Sequence, residues 1–379
     1  MVRDLGAINL GQGICDMPVP QEIKAAAKEA IDADRSIYTS YAGIRRLRSR
    51  IADKVRNYNH IDVPSEEEIV VSAGSTGAFA TAIFAILDPG DEALLFEPFY
   101  GYHRNLIRLT GATPRSVPMH GRSWTVDFDE VEAAIGPRTK LIVVNTPGNP
   151  SGKVWSRGEL ARLLELAGRN DLFVITDEIY EYMVYDGREH VSLASLPGAY
   201  ERVVTVSGFS KTFNMTGWRL GYAVAPAALA EKMGLLNDLF YICAPSPLQY
   251  ALADAELPGD YFLDLRREYE RKREMMMTAL MAAGMEVLRP EGAYYVLADF
   301  RGLSSRVEGF SDDATACETL VREAGVASIP GSAFFDTPDA GKYLLRFCYA
   351  KKHAELEEAC RRLIAFGNTI AAETAVGRG

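Results

Sequence analysis

The sequence predicts an α/β protein: a large domain with a mostly parallel central sheet in an α/β/α sandwich, joined to a smaller α+β domain. Three observations predict it. A chain of 379 residues exceeds what one core usually encloses. Apolar, β-branched runs recur along it and are continuous rather than alternating, as strands buried on both faces require. Helical stretches separate several of these runs, the spacing expected of parallel strands joined by crossovers.

Taken in order, the strand-like runs fall at 68–72, 92–96, 140–144, 172–176, 203–206 and 221–224, with helical stretches at 77–87 and 157–168. After Pro258 the pattern changes to a long charged helix at 261–283, a strand at 293–297, a helix near 313–324, a strand at 343–348 and a closing helix at 353–366. The expected division is therefore a large domain over 36–258 and a small domain built from 1–35 together with 259–379. The boundary beside the long helix is a hinge candidate, and the tail after Ala371 is expected to fray.

Composition narrows the function. The formal charge of −10 opposes a nucleic-acid or anionic-membrane surface, which needs concentrated Lys and Arg. The five cysteines are odd in number and lack close metal-ligand pairs, so reduced buried thiols in a cytoplasmic protein are expected, with no disulfide and no metal site. No stretch reaches the ~20 apolar residues of a membrane helix, and the N-terminus has no secretory h-region.

The most informative segment is Ser207-Gly-Phe-Ser-Lys211-Thr-Phe-Asn-Met-Thr-Gly-Trp-Arg219, which follows an apolar strand. A lysine amine condenses with an aldehyde, and a guanidinium fork grips a phosphate dianion. The pairing suits pyridoxal 5'-phosphate, although a lone lysine is more often a solvated one. Ser75, Asn149, Asp177 and Lys211 each fall just after a strand, where open α/β sheets bind ligands. Gly74-Ser75-Thr76-Gly77 lies between a strand and an apolar helix, so it serves equally as a phosphate cradle or a simple N-cap. Arg346 lies inside an apolar strand, where an unpaired guanidinium is costly, so a bidentate partner is expected.

From Ile8-Asn-Leu-Gly-Gln-Gly13 to Leu344-Leu-Arg-Phe347 the chain resembles the class I/II aminotransferases, fold-type-I pyridoxal-phosphate enzymes of the aspartate, aromatic and kynurenine branch. Compared with many relatives, the N-terminal arm ahead of that first motif looks short or missing. The resemblance makes Lys211 the residue that carries the cofactor as an imine and then moves the proton from the substrate Cα. It makes Asp177, rather than Glu178, the partner of the pyridine nitrogen. Asn149 and Tyr180 become donors to the phenolic oxygen, and Tyr100 packs on the ring face. Ser75, Thr76, Ser210 and Arg219 close the phosphate cup, reached by Tyr38 of the neighbouring subunit in a homodimer with shared sites. Gly13, Asn149 and Arg346 receive the substrate carboxylate. His103 stands where many relatives carry another tyrosine, and a role in substrate access is entertained for it.

The implied activity is transfer of an α-amino group from an amino acid to a 2-oxo acid by a ping-pong mechanism. The resemblance implies that some relatives that use aspartate carry a lysine where Thr76 stands, and the segment from Phe240 to Pro245 is apolar or aromatic. A neutral, aromatic or sulfur-containing donor is therefore expected. The same residues would also serve a carbon–sulfur β-lyase. A non-catalytic cofactor-sensing domain ranks lower, because the chain lacks a DNA-binding module. An oxidoreductase is disfavoured by the missing G-x-G-x-x-G turn.

Overall fold

The structure, a computed structural model, describes residues 4–376, with side chains through residue 373. Eight strands form one sheet in the order Ile69–Ser72, Gly221–Val224, Val203–Gly208, Phe173–Asp177, Thr139–Asn145, Glu92–Glu97, Thr113–His120 and Thr125–Val126. Five of them, from Val203–Gly208 through Thr113–His120, run parallel. The strand Gly221–Val224 is antiparallel to both neighbours, and Thr125–Val126 is antiparallel at the far edge. The central strands are buried along their length, which is why their sequences read as unbroken apolar runs.

Apolar clusters cover both faces of this sheet. One includes Leu47, Ile51, Leu160 and Leu163, and the other Phe79, Ile83 and Met233. The helix Arg157–Arg169 shows how local chemistry fixes an element. Ser156 accepts from the Glu159 backbone N–H while the Glu159 carboxylate accepts from the Ser156 N–H, a reciprocal cap contributing about 1 kcal/mol.

A second sheet, in the order Glu286–Leu288, Tyr295–Asp299, Leu344–Cys348 and Ile329–Pro330, is antiparallel and carries its own core around Tyr269, Phe300 and Phe347. Beside it Ile8–Asn9 pairs in parallel with Val326–Ala327. The expected boundary at residue 36 needs one correction. The helix Gln21–Asp32 packs on Ser246–Asp254, and Ile23 belongs to the larger core, because its apolar stripe meets that helix rather than the small sheet.

Other differences have equally local causes. The strand Thr113–His120 escapes a search for continuous apolar runs because its burial is mixed. The helix at 313–324 is α-helical only over Asp313–Thr319 and widens to a π-turn over Leu320–Ala324. The closing helix is assigned from His353 to Val376, ten residues past the expected end at Phe366. Residues 377–379 of the expected tail lie outside the described residues.

Candidate active site

A cavity of about 620 Å³ opens at the carboxyl ends of the parallel strands, between the two lobes. Gly13, Ser75, Thr76, Tyr100, Asn149, Asp177, Tyr180, Ser210, Lys211, Arg219 and Arg346 all line it. Strand direction explains the convergence. The strands at 69–72, 139–145, 173–177 and 203–208 each hand over to a loop at this edge, so side chains far apart in sequence meet. Tyr38 is not part of the lining and stands 74 % exposed on the outer surface.

Lys211 follows the strand Val203–Gly208. Its Nζ donates to the Gly13 carbonyl at 3.1 Å and lies 5.5 Å from the Tyr294 ring centre. Burial lowers its pKa, reinforced by Arg219 and opposed by Cys348, Cys15 and Asp177. The ammonium form is thereby disfavoured relative to that of a solvated lysine, which raises the nucleophilic fraction of the amine.

Asp177 ends the strand Phe173–Asp177 and is 7 % exposed. One carboxylate oxygen accepts from the Ile179 N–H at 3.3 Å, and the other meets His103 Nε2 at 2.9 Å. His103 is buried, stacked on Phe79 at 4.4 Å and edge-on to Tyr100 at 5.2 Å. A role in substrate access is therefore corrected: His103 sits beneath the site and fixes the Asp177 carboxylate. The signal available in the sequence was its i,i+3 spacing from Tyr100, which puts both on one side of the Gly101–Leu109 helix start.

Glu178 points away from the cavity. It is fully buried and bonds His190 and Ser192. With Glu181 these groups form a cluster whose ligand atoms lie within 4.8 Å of one another. Lys54 meets Glu181 at 2.5 Å, so a side-chain cation already compensates the carboxylates there.

Tyr180 is 4 % exposed and donates to the Tyr295 hydroxyl at 3.3 Å. Burial first, then the neighbouring Tyr295, pushes its pKa well above the usual phenol value, so it remains a donor. The segment 290–295 resembles kynurenine and glutamine transaminases, but the sequence assigns Tyr295 no place in the site; its hydroxyl also explains Gly13, because a Cβ at Gly13 would overlap it. The Tyr295 phenol is itself pushed up to about 12 by burial, against the opposing charge of Arg346.

Arg346 is 7 % exposed, with its guanidinium carbon 4.4 Å from the Tyr295 ring centre and 4.8 Å from that of Phe334. Its two terminal nitrogens donate to Asn149 Oδ1 at 2.9 Å and to the Gly11 carbonyl at 2.6 Å, while Nε has no partner. No carboxylate among the described residues pairs with it. A structural ion pair is thus replaced by two neutral acceptors, which leave the positive charge uncompensated at the cavity wall.

The first turn of the helix Gly74–Ile86 faces the same space. Its N-cap is Ala73, with no capping side chain, so the N-cap alternative for Ser75 and Thr76 is not realised. Free N–H groups and the two hydroxyls make an anion cradle. Arg219, exposed at the rim, donates to the Thr216 carbonyl at 3.0 Å and the Ala73 carbonyl at 3.4 Å. Gly74 has φ +76°, and any Cβ there would meet the Arg219 guanidinium.

These groups fit pyridoxal 5'-phosphate in kind: an uncapped helix start and Arg219 for the phosphate, Asp177 for a ring nitrogen, and Lys211 for the aldehyde. Fold and site together define an enzyme of amino-group chemistry. The family model for aminotransferase class I and II matches residues 6–363, and the chain belongs to that family. Aromatic-amino-acid aminotransferase 2 of Thermococcus litoralis is 36 % identical over 364 residues, covering 94 % of this chain and 91 % of that protein. An aspartate aminotransferase of Pyrococcus abyssi is also 36 % identical, over 94 % of this chain and 90 % of that one. The solved structure of YbdL from Escherichia coli, identified with a methionine aminotransferase function, superposes with a TM-score of 0.90 at 34 % identity, covering 96 % of this chain and 94 % of that one. The chain is an aminotransferase of the fold-type-I architecture, and the rival oxidoreductase and non-catalytic readings fall away.

Proposed function

We propose that the cavity holds pyridoxal 5'-phosphate and transfers the amino group of a neutral, aromatic or sulfur-containing amino acid to a 2-oxo acid in two ping-pong half-reactions. The observation that carries this reading is Arg346: a buried guanidinium with no acidic partner, in one cavity with Lys211 and an uncapped helix start. When bound, the cofactor supplies a conjugated, electron-withdrawing ring that makes the substrate Cα proton removable.

The chain's own residues do the rest. Ser75, Thr76, Ser210 and Arg219 anchor the phosphate. Asp177, held by His103, keeps a proton on the ring nitrogen. Asn149 and Tyr180 direct hydrogen bonds at the phenolic oxygen, and Tyr100 limits tilt of the ring. Arg346 binds the α-carboxylate beside Gly13, which orients the Cα–H bond. The Lys211 amine, whose ammonium form burial disfavours, takes that proton. Closure around Arg346 excludes water from the reacting atoms.

Thr76 in place of a cation, with Ile14, Tyr102 and Phe334 on the walls, supports the donor class. The relatives' own range, from aromatic to aspartate, leaves that class to the site itself. Steady-state kcat/KM for phenylalanine, methionine and aspartate tests it. Phenylalanine or methionine should exceed aspartate, and comparable or better turnover of aspartate contradicts the assignment.

A homodimer belongs to the same reading. Tyr38 and Leu239 are exposed, while nearby in the chain Tyr41 packs on the helix Ala227–Tyr241 at Gly234 and Asn237. Five free cysteines support a reducing, cytoplasmic setting, and among the described residues no helix is long and apolar enough to cross a membrane. The division into a large lobe and a small lobe hinged near residue 258 is retained, with the Gln21–Asp32 helix assigned to the large lobe.

A further inference from the structure

Four cationic side chains line the cavity, and three have been accounted for: Lys211, Arg219 and Arg346. The fourth is Arg104, on the Gly101–Leu109 helix of the large lobe. Its guanidinium lies 5.1 Å from the Phe99 ring centre, and Nη1 meets Asp336 Oδ1 at 2.5 Å. Asp336 comes from the opposite lobe, just beyond the Gly331–Phe334 turn that supplies the Phe334 ring over Arg346.

The segment carrying Asp336 is held tightly. The N–H groups of Asp336 and Thr337 donate to one oxygen of buried Glu97, at 2.5 and 3.0 Å. The Phe99 N–H donates to the Phe334 carbonyl at 3.0 Å, and the Ser116 hydroxyl donates to Asp336 Oδ2 at 3.1 Å. The segment 334–337 is therefore fixed by four contacts across the lobe boundary that do not involve Arg104, two of them to Asp336 itself. Asp336 is a carboxylate delivered to Arg104 by the fold, not a flexible chain that finds it.

We propose that Asp336 is a specificity-determining residue: by occupying Arg104 at the cavity mouth it excludes substrates with an acidic side chain. This rests on the cavity being the amino-acid site. A side-chain carboxylate directed at Arg104 must displace one already there and lie close to the Asp336 charge. A phenyl, thioether or aliphatic side chain meets a neutralised pair and the Phe334 ring instead. The pair is 21 % and 33 % exposed, so neither charge is fully screened by water nor fully desolvated. Asp336 thus acts on the distal end of the substrate, whereas Arg346 reads the α-carboxylate common to all of them.

The test uses the cofactor-loaded enzyme and two variants with opposite expected signs. Asp336→Asn keeps the backbone contacts to Glu97 and unmasks Arg104. It should raise the ratio of kcat/KM for glutamate to that for phenylalanine by about tenfold or more, because one like charge is removed and one opposite charge freed. Arg104→Gln leaves Asp336 uncompensated and should lower the same ratio. Calorimetric binding of glutarate against 3-phenylpropanoate, which needs no turnover, should move in the same two directions. Adding Arg104→Gln to Asp336→Asn should remove the gain. A ratio unchanged in Asp336→Asn, or raised in Arg104→Gln, overturns the role of Asp336 while leaving the preference for neutral donors standing. A wild-type enzyme that already prefers glutamate or aspartate overturns both.

Discussion

At the scale of single residues, the reactivity of Lys211 depends on how little water reaches its amine. Burial destabilises the ammonium form, so the folded-state pKa lies below the ordinary value of about 10.4. The sign follows directly. In the cofactor-free protein this lysine contributes most to stability above its unfolded pKa, and that contribution is lost as pH falls through the lowered folded pKa. The rate at which pyridoxal phosphate loads onto cofactor-free enzyme should therefore rise with pH to a midpoint below that of a free lysine. A midpoint at or above the free-lysine value would mean that the amine is solvated. His103 supplies a second residue-level test. His103→Phe retains a ring against Phe79 but leaves a buried carboxylate oxygen of Asp177 without its partner, at a cost of about 1.5–3 kcal/mol. Expressed in the barrier, this is roughly a ten- to hundredfold loss in kcat, with KM for the donor little changed. Stopped-flow measurement of the donor half-reaction separates that loss from a binding defect.

At the scale of elements, the site is a set of strand ends and one helix start. That much was legible in the sequence, because continuous apolar runs mark buried parallel strands and the chemistry-bearing residues follow them directly. Lys211, Asp177, Asn149 and Ser75 could be placed from their position after a run. The partners of His103, Tyr295 and Asp336 could not be read from the sequence, because they lie 74, 115 and 232 positions away. A single chain carries no record of which distant segments touch. The strand Thr113–His120 was missed for a related reason: its mixed burial gives neither a continuous run nor a clean alternation. The uncapped start of the helix Gly74–Ile86 gives a test of its own. Gly74→Ala places a Cβ at positive φ against the Arg219 guanidinium. The variant should lose about 1–3 kcal/mol of stability and bind pyridoxal phosphate correspondingly more weakly. Thermal melting of the cofactor-free protein and titration with the cofactor measure the two effects separately, and an unperturbed cofactor affinity would remove Arg219 from the phosphate site.

At the scale of the whole molecule, the two lobes meet at the cavity, so substrate contacts are divided between them. Asp177 and Lys211 come from the large sheet, Arg346 and Tyr295 from the small one, and Gly13 from the N-terminal segment threaded between. Outside the cavity, Leu239 is 79 % and Tyr38 74 % exposed, and Phe240, next to Leu239 in the chain, meets Phe84 edge-on. Leu239→Glu should shift the protein from dimer to monomer in sedimentation velocity and reduce activity in step with dissociation. A wild-type monomer with full activity would rule out a shared site. The central claim is that Lys211 and its neighbours hold a cofactor that stores an amino group between two half-reactions. The most direct test is the absorbance of the loaded enzyme mixed with phenylalanine or methionine in the absence of any 2-oxo acid. The bound cofactor's band should convert stoichiometrically to that of its aminated form, one oxo acid should be released per site, and added 2-oxo acid should restore the original band. A band that stays unchanged while ammonia and a shortened oxo acid accumulate, or a protein that acquires no cofactor band at all, would contradict it.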